Sequence, residues 1–235
     1  MLQLQQHLHY NALLNSQFLK RIKSIEKISF KTQEVDSIEL AHDEINIRKN
    51  SQLGTTKRLY KLLSQANDTI VIDSPYLILS NRLKGIFIEL LNRGVKIRIL
   101  TNSLKATDGL FPQAGYLRQR KMIAQMGIEL YEYYSHDSFH AKSFVIDGEI
   151  AIIGSFNLDP RSENLNTETI AIVHDENIAS LLKASMDNKL ETSYKIDVNG
   201  RPLHMGEKLP GVSLMKKIKA RMIQYLVAPL IKGLL

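Results

Sequence analysis

The chain has 235 residues, of which 44% are hydrophobic, which is enough to bury the core of one large or two small domains and excludes overall disorder. It has no cysteine, which excludes disulfides, thiolate metal ligands and a cysteine nucleophile. Its formal net charge of +7 favours a polyanionic partner, either nucleic acid or an anionic membrane surface.

Residues 1–50 are polar and weakly periodic, and they predict an N-terminal helix followed by a lead-in segment. Leu13, Leu14, Phe18 and Ile22 carry the helical spacing. The N-terminus lacks the apolar stretch of a signal peptide, and no window reaches the roughly 18 apolar residues of a spanning helix. We therefore expect the chain to work in water or on a membrane surface.

From Asp68 onward, β-branched runs alternate with amphipathic stretches. The predicted strands cover 69–77, 95–101 and 128–134, and the predicted helices cover 82–94 and 114–127. In the second helix the spacing predicts that Met122 and Met126 face inward, while Arg118 and Arg120 face outward. Such alternation predicts an α/β sheet layered with helices, with its first strands parallel.

A hairpin follows this alternating region. The strands 142–147 and 149–156 flank Asp147 and Gly148, a dipeptide that strongly favours a two-residue turn. One more strand is predicted over 167–175, followed by a helix over 176–190. Because hairpin strands run antiparallel, the complete sheet is expected to be mixed.

The region 196–235 predicts a basic amphipathic tail. Its basic residues are Lys216, Lys217, Lys219, Arg221 and Lys232. Its apolar face consists of Leu214, Ile218, Met222, Tyr225 and Leu226. Such a helix is able to lie in a membrane interface. A terminal helix packed on its own domain with a solvated basic side explains the pattern equally well, so both interpretations stay open.

Four polar side chains are expected to meet at the open end of the hairpin. His140 and Lys142 are two residues apart, and Ser155 and Asn157 repeat that spacing on the partner strand. Phosphodiester transfer needs a nucleophile, together with donors that hold the nonbridging oxygens as charge builds on them. Glu168, at the start of the next strand, is the candidate for fixing the tautomer and orientation of His140.

These residues resemble the signature of the phospholipase D superfamily, in which His-x-Lys-(x)4-Asp is followed by Gly-Ser-x-Asn. The resemblance implies a layered α-β-α sandwich with a mixed β-sheet, in which residues 51–195 form the catalytic domain. It also implies catalytic roles for His140, Lys142, Asn157 and Glu168, phosphate binding by Lys142, Ser155 and Asn157, and structural roles for Asp147 and Gly154. No metal and no cofactor are implied.

Further sequence segments, including 154–168 and SPYL at 74–77, are similar to the C-terminal half of bacterial cardiolipin synthases of the C type. The similarity implies a phosphatidyltransferase that acts on a phospholipid, phosphatidylglycerol above all, through a phosphohistidine intermediate. It further implies an anionic membrane as partner, with peripheral location on the cytoplasmic side of the bacterial inner membrane. Asp159 and Arg161 are expected to brace the loop beside the site.

The sequence contains one His-x-Lys motif, whereas enzymes of this kind use two. One histidine attacks phosphorus and the other protonates the leaving alkoxide, so this chain carries half of a site. The second half would come from a homodimer or from another chain or segment with its own motif. The alternative function is a homodimeric single-motif nuclease, with nucleic acid held along Lys96, Arg98, Lys105, Arg118, Arg120 and Lys121.

Overall fold

The computed structural model of the chain describes residues 34–35, 37–44, 54–203 and 211–227. The helix predicted from Leu13 to Ile22 lies outside the described residues. Within the described ranges, none of the helices is long and apolar enough to cross a bilayer.

The described residues form eight strands and six α-helices, together with one 3₁₀ and one π turn. In chain order these are β1 (Ser37–His42), α1 (Gly54–Ser64), β2 (Thr69–Asp73), α2 (Asn81–Asn92), β3 (Lys96–Asn102), α3 (Leu110–Gln125), β4 (Glu129–Tyr133), β5 (Ser143–Ile146), β6 (Ile150–Gly154), α4 (Pro160–Asn164), β7 (Thr169–His174), α5 (Glu176–Asp187), the 3₁₀ turn Asn188–Thr192, β8 (Ser193–Lys195), α6 (Leu214–Met222) and the π turn Ile223–Val227.

All eight strands belong to one mixed sheet with the order β1-β7-β6-β5-β2-β3-β4-β8. β2, β3 and β4 run parallel, while the pairs from β2 through β5, β6 and β7 to β1 are antiparallel, as is β4 with β8. The predicted parallel first strands, the antiparallel hairpin and the mixed α/β sheet are thus confirmed. The carboxyl ends of β2, β3 and β4, the amino ends of β5 and β7 and the carboxyl end of β6 consequently meet at one edge of the sheet.

Helices cover both faces of the sheet. On one face the main apolar core joins Leu63 of α1 and Phe87 of α2 to sheet residues such as Ile72 and Phe144, all of them fully buried. On the other face a smaller cluster joins Val71, Val145 and Ala151 to Ala179 and Met186 of α5. The result is the expected α-β-α layering, in which alternate strand residues serve opposite cores.

Asp147 fixes the closed end of the hairpin. Its φ of 54° lies in the left-handed region that a two-residue turn requires. Its carboxylate accepts hydrogen bonds of 2.9 Å from the backbone amides of Asn67, Asp68 and Thr69. The aspartate of the motif therefore ties the hairpin to the start of β2, at the end of the sheet opposite His140.

Two features differ from the sequence-based expectation. The segment Ser37–His42, assigned from its sequence to a lead-in, is an edge strand that pairs antiparallel with β7. Arg120 does not face solvent, because it forms an ion pair of 2.9 Å with Glu132, whose side chain is only 1% exposed. The same carboxylate accepts from the hydroxyls of Tyr116 and Tyr134, so the arginine is drawn inward to neutralise a buried charge.

Candidate active site

The His-x-Lys residues and the Gly-Ser-x-Asn residues line one cleft of about 810 Å³ at the edge of the sheet. It is lined by His140, Lys142, Gly154, Ser155, Asn157, Leu165, Asn166, Thr167 and Glu168. His140 and Lys142 directly precede β5, Ser155 and Asn157 directly follow β6, and Glu168 directly precedes β7. The antiparallel pairing of these three strands is what brings residues so far apart in sequence to one place.

The His140 side chain is exposed at the mouth of the cleft and packs edge-on against Tyr76. The two ring centroids are 6.3 Å apart, with an angle of 83° between the planes. The Tyr76 hydroxyl donates a hydrogen bond of 2.9 Å to Asp108. Burial and the neighbouring Asp108 raise the pKa of Tyr76 to about 12, so this hydroxyl keeps its proton at neutral pH. The arrangement restricts one side of an otherwise accessible imidazole.

Lys142 lines the same cleft and is only 7% exposed. Its ammonium donates a hydrogen bond of 2.9 Å to the backbone carbonyl of His140. Burial lowers the pKa of Lys142, although the carboxylates of Glu168, Asp108 and Asp159 oppose that effect. A partly desolvated cation beside the nucleophile candidate is well suited to stabilise phosphoryl oxygens, because it is weakly screened.

Glu168 is buried and its carboxylate is shared between two donors. The hydroxyl of Ser155 donates to one oxygen, and the amide of Asn166 donates to the other at 3.2 Å. Within the described part of the chain, no hydrogen bond joins this carboxylate to the His140 ring. Its role in orienting the histidine stays a prediction, and in this structure the group that it holds is Ser155.

Asn157 is held by its backbone while its side chain points at the cleft. Its backbone amide donates to the hydroxyl of Ser162 at 3.2 Å. Its Oδ1 is buried and accepts no hydrogen bond from the described residues. An unpaired acceptor is uncommon among buried polar atoms, and this one belongs to a residue that lines the cleft.

Two other motif residues shape the loops around the cleft. Gly154 leaves no room for a side chain, since an added Cβ would lie 2.2 Å from the carbonyl oxygen of Thr169. Asp159 caps the short helix α4 by accepting from the amide of Ser162 at 2.8 Å. The cap sets the direction of the chain directly after Asn157, which is the bracing expected of this loop.

Asp43 also supports the site and was not identified from the sequence. Its carboxylate accepts from the backbone amides of Glu168 at 2.9 Å and of Thr55 at 2.8 Å, and thereby ties β7 to the start of α1. The sequence separation of 125 between Asp43 and Glu168 leaves no local pattern that would reveal this contact. Tyr76 and Asp108 were missed for the same reason.

The six basic residues proposed to form a nucleic-acid track differ in the contacts that they make. Arg98 is ion-paired with Asp187, and Arg120 is ion-paired with Glu132. Lys105 and Arg118 donate to the backbone carbonyls of Gly211 and Gln224. Two of the six charges are therefore neutralised and two more are engaged with backbone, while the side chains of Lys96 and Lys121 form no ion pair or hydrogen bond with the described residues.

Comparison with known proteins gives a family match over residues 59–190, more than half of the chain, described as cardiolipin synthase, PLD-like domain. Cardiolipin synthase C of Escherichia coli (strain K12) is 32% identical over 199 residues, which cover 72% of this chain and 42% of that protein. The chain thus spans less than half the length of this curated relative.

Two solved structures share the fold. Phosphatidylserine synthase of Haemophilus influenzae Rd KW20 has a TM-score of 0.62 at 14% identity, covering 84% of this chain and 48% of that one. The phospholipase D family member Nuc from Salmonella typhimurium has a TM-score of 0.54 at 16% identity, covering 68% of this chain and 98% of that one. The family match over residues 59–190 and the similarity to cardiolipin synthase C establish that the chain belongs to the phospholipase D superfamily, in the family of cardiolipin synthase, PLD-like domains.

Proposed function

We propose that this chain supplies one half of a phosphatidyl-transfer site that acts on phosphatidylglycerol. The observation that carries the proposal is the single cleft that holds the histidine, the buried lysine and the asparagine of the motif. The similarity to cardiolipin synthase C supports a phospholipid as the substrate.

In the first step, a neutral nitrogen of His140 attacks the phosphorus of the phosphodiester. An N–P bond forms, the P–O bond to the glycerol headgroup breaks, and the leaving alkoxide takes a proton from a second histidine. Lys142 and the amide of Asn157 stabilise the charge on the nonbridging oxygens. In the second step, the second histidine removes the proton from a lipid hydroxyl, whose oxygen attacks phosphorus and releases His140.

The second histidine has to come from another His-x-Lys motif, because the printed sequence contains a single one. The surface beside the cleft supports such pairing. Ile38 and Leu40 of β1 and Ile153 of β6 are 66%, 63% and 50% exposed. Leu40 and Ile153 also line a shallow depression of about 490 Å³ together with His140. A second motif-bearing half, either another copy or a separate chain, would cover these side chains and bring its histidine to the cleft.

A nuclease function has less support. Two of the six basic side chains on which it depends are neutralised by ion pairs, and Lys105 and Arg118 are tied to backbone carbonyls, so the track offers less free charge to a phosphate backbone than the sequence suggests. The fold shared with Nuc does not select a substrate, since one fold hosts several activities.

The proposal is tested by measuring the mass of the protein in solution and its turnover of phosphatidylglycerol, with single-stranded DNA as the competing substrate. His140→Ala is expected to abolish phosphatidyl transfer while the thermal unfolding midpoint is retained, because the side chain is exposed. Turnover comparable to that of the unaltered protein would refute the nucleophile assignment. Cleavage of DNA without any lipid product would favour the nuclease instead.

A further inference from the structure

Most of the described apolar side chains of α6 and the following π turn point away from the protein. Five of them are exposed: Leu214 (73%), Met215 (62%), Ile218 (45%), Met222 (56%) and Tyr225 (69%). Their spacing of three and four residues places them along one side of the helix. The side that faces the protein carries Ala220, the one buried residue of α6, and the half-buried Lys216.

Polar contacts hold the helix in this orientation. The Lys216 ammonium donates hydrogen bonds of 3.0 Å and 2.9 Å to the backbone carbonyls of Lys105 and Thr107. Arg118 of α3 donates to the carbonyl of Gln224 at 2.9 Å. A surface helix of a water-soluble domain normally turns its apolar stripe towards the core, and this helix does the reverse. The exposed stripe is unfavourable in water and becomes favourable when an apolar phase covers it.

The charges around the stripe indicate which apolar phase fits. Lys217 and Arg221 flank it on one side and Lys219 on the other, and all three are exposed. The sequence contains no acidic residue from Lys208 to Leu235. An apolar stripe bordered by lysine and arginine is the pattern of a helix that lies in the interface of an anionic membrane.

The same helix is joined to the cleft through a short segment of chain. Lys105 and Thr107 hold α6 by their carbonyls, and the adjacent Asp108 holds the hydroxyl of Tyr76. Tyr76 in turn packs against the ring of His140. The segment 105–108 contacts the protein-facing side of α6, so a lipid layer on the outward side would lie near the segment that borders the cleft, with the helix between them.

We infer that the outward face of α6, with its flanking basic residues, docks this protein on an anionic lipid surface beside its cleft. The inference rests on the proposed function in that the membrane is the source of the lipid substrate. It adds the surface and the side chains that make the contact.

The test is cosedimentation of the full chain with vesicles that contain phosphatidylglycerol and with vesicles of phosphatidylcholine alone. The protein is expected to bind the anionic vesicles, with binding that weakens as salt rises. Ile218→Asp should reduce that binding by about tenfold or more. The matched control is Ile88→Asp on α2, which adds the same charge at a side chain of similar exposure, 49% against 45%, and should bind normally.

A second variant keeps the test valid if Ile218→Asp fails to fold. Replacement of Lys217 and Lys219 by Gln leaves the apolar stripe intact and should also weaken binding, with unchanged circular dichroism. Equal binding by Ile218→Asp and the unaltered protein, or no binding by the unaltered protein, would overturn the inference. So would a drop in solution mass in Ile218→Asp without loss of vesicle binding, because the face would then be a contact between copies.

A separate measurement distinguishes this inference from the proposed function. Turnover of a dispersed short-chain phosphatidylglycerol does not require a bilayer. Turnover of that substrate by a protein that fails to bind vesicles would overturn the docking surface alone. Vesicle binding that depends on Ile218, in a protein without turnover, would support the docking surface and count against the transfer reaction.

Discussion

Lys142 combines burial with a charge that the proposed reaction needs. The side chain is 7% exposed, and its ammonium has one hydrogen bond to the carbonyl of His140. Burial lowers the pKa of Lys142, so the ammonium loses its proton at a lower pH than an ordinary lysine, whose pKa is about 10.4. Turnover that depends on this charge should therefore fall as the pH rises through the lowered pKa.

The prediction is checked with Lys142→Arg, since a guanidinium stays charged over the whole accessible pH range. The pH profile of kcat/KM for the unaltered protein should show an alkaline fall, and the residual activity of the variant should lack it. The pKa of Tyr76, raised to about 12, lies too high to produce the same fall. An alkaline limb that is identical in both proteins would show that another group titrates.

At the scale of the elements, β6 and β7 leave no room for a side chain at Gly154. The residue pairs with Ile170, and its amide donates to the carbonyl of Lys142, directly before β5, at 3.2 Å. A Cβ at this position would lie 2.2 Å from Thr169 O and 2.8 Å from the Cα of Ile170, both of which are backbone atoms. The glycine therefore allows three strands to meet where Lys142, Ser155 and Glu168 enter the cleft.

Gly154→Ala should lower the free energy of unfolding by about 1–3 kcal/mol or more, because β7 has to move to admit the methyl group. The movement would also displace Glu168 from Ser155 and reduce turnover. The matched control is Gly85→Ala in α2, where an added Cβ meets nothing within 4 Å. That variant should be more stable by about 0.5–1 kcal/mol, because alanine favours a helix. Urea unfolding of both variants checks the prediction, and equal stability of the two would contradict it.

Much of the sheet could be predicted because its signals are local. The β-branched runs of β2 and β3 and the Asp147-Gly148 turn state their structure within a few residues. The strand β1 was missed although Ile38 and Leu40 alternate with Glu39 and Ala41, since the segment follows a polar stretch with weak helical spacing. Asp43, Tyr76 and Asp108 could not be found, because each acts through partners distant in sequence.

For the whole molecule, the uncovered sheet surface at Leu40 and Ile153 continues the face that α5 covers at the other end of β5, β6 and β7. Val145, Ala151 and Val173 pack under α5, whereas the residues nearer the cleft have no such cover among the described elements. Because this surface borders His140, whatever covers it also approaches the nucleophile candidate.

Leu40→Lys should therefore reduce both the fraction of the protein that is paired with a second motif-bearing half and its turnover. The reason is that a lysine buried in the contact opposes association. Leu181→Lys on α5 is the control, because Leu181 has the same exposure of 63% as Leu40. The control variant should pair and turn over normally. Light scattering and a lipid-product assay measure the two quantities. Unchanged pairing in Leu40→Lys would place the partner elsewhere.

The clamp between Asp147 and the amides of residues 67–69 has a consequence for alignment along the hairpin. Strand side chains alternate between faces, so a slip of one position would turn Lys142 to the opposite side of the sheet. These hydrogen bonds resist such a slip from the carboxyl end of β5, the end away from the cleft. Asp147 thus fixes the strand register that sets the positions of the imidazole and the ammonium. One motif of eight consecutive residues therefore contains both the chemical groups and the residue that aligns them.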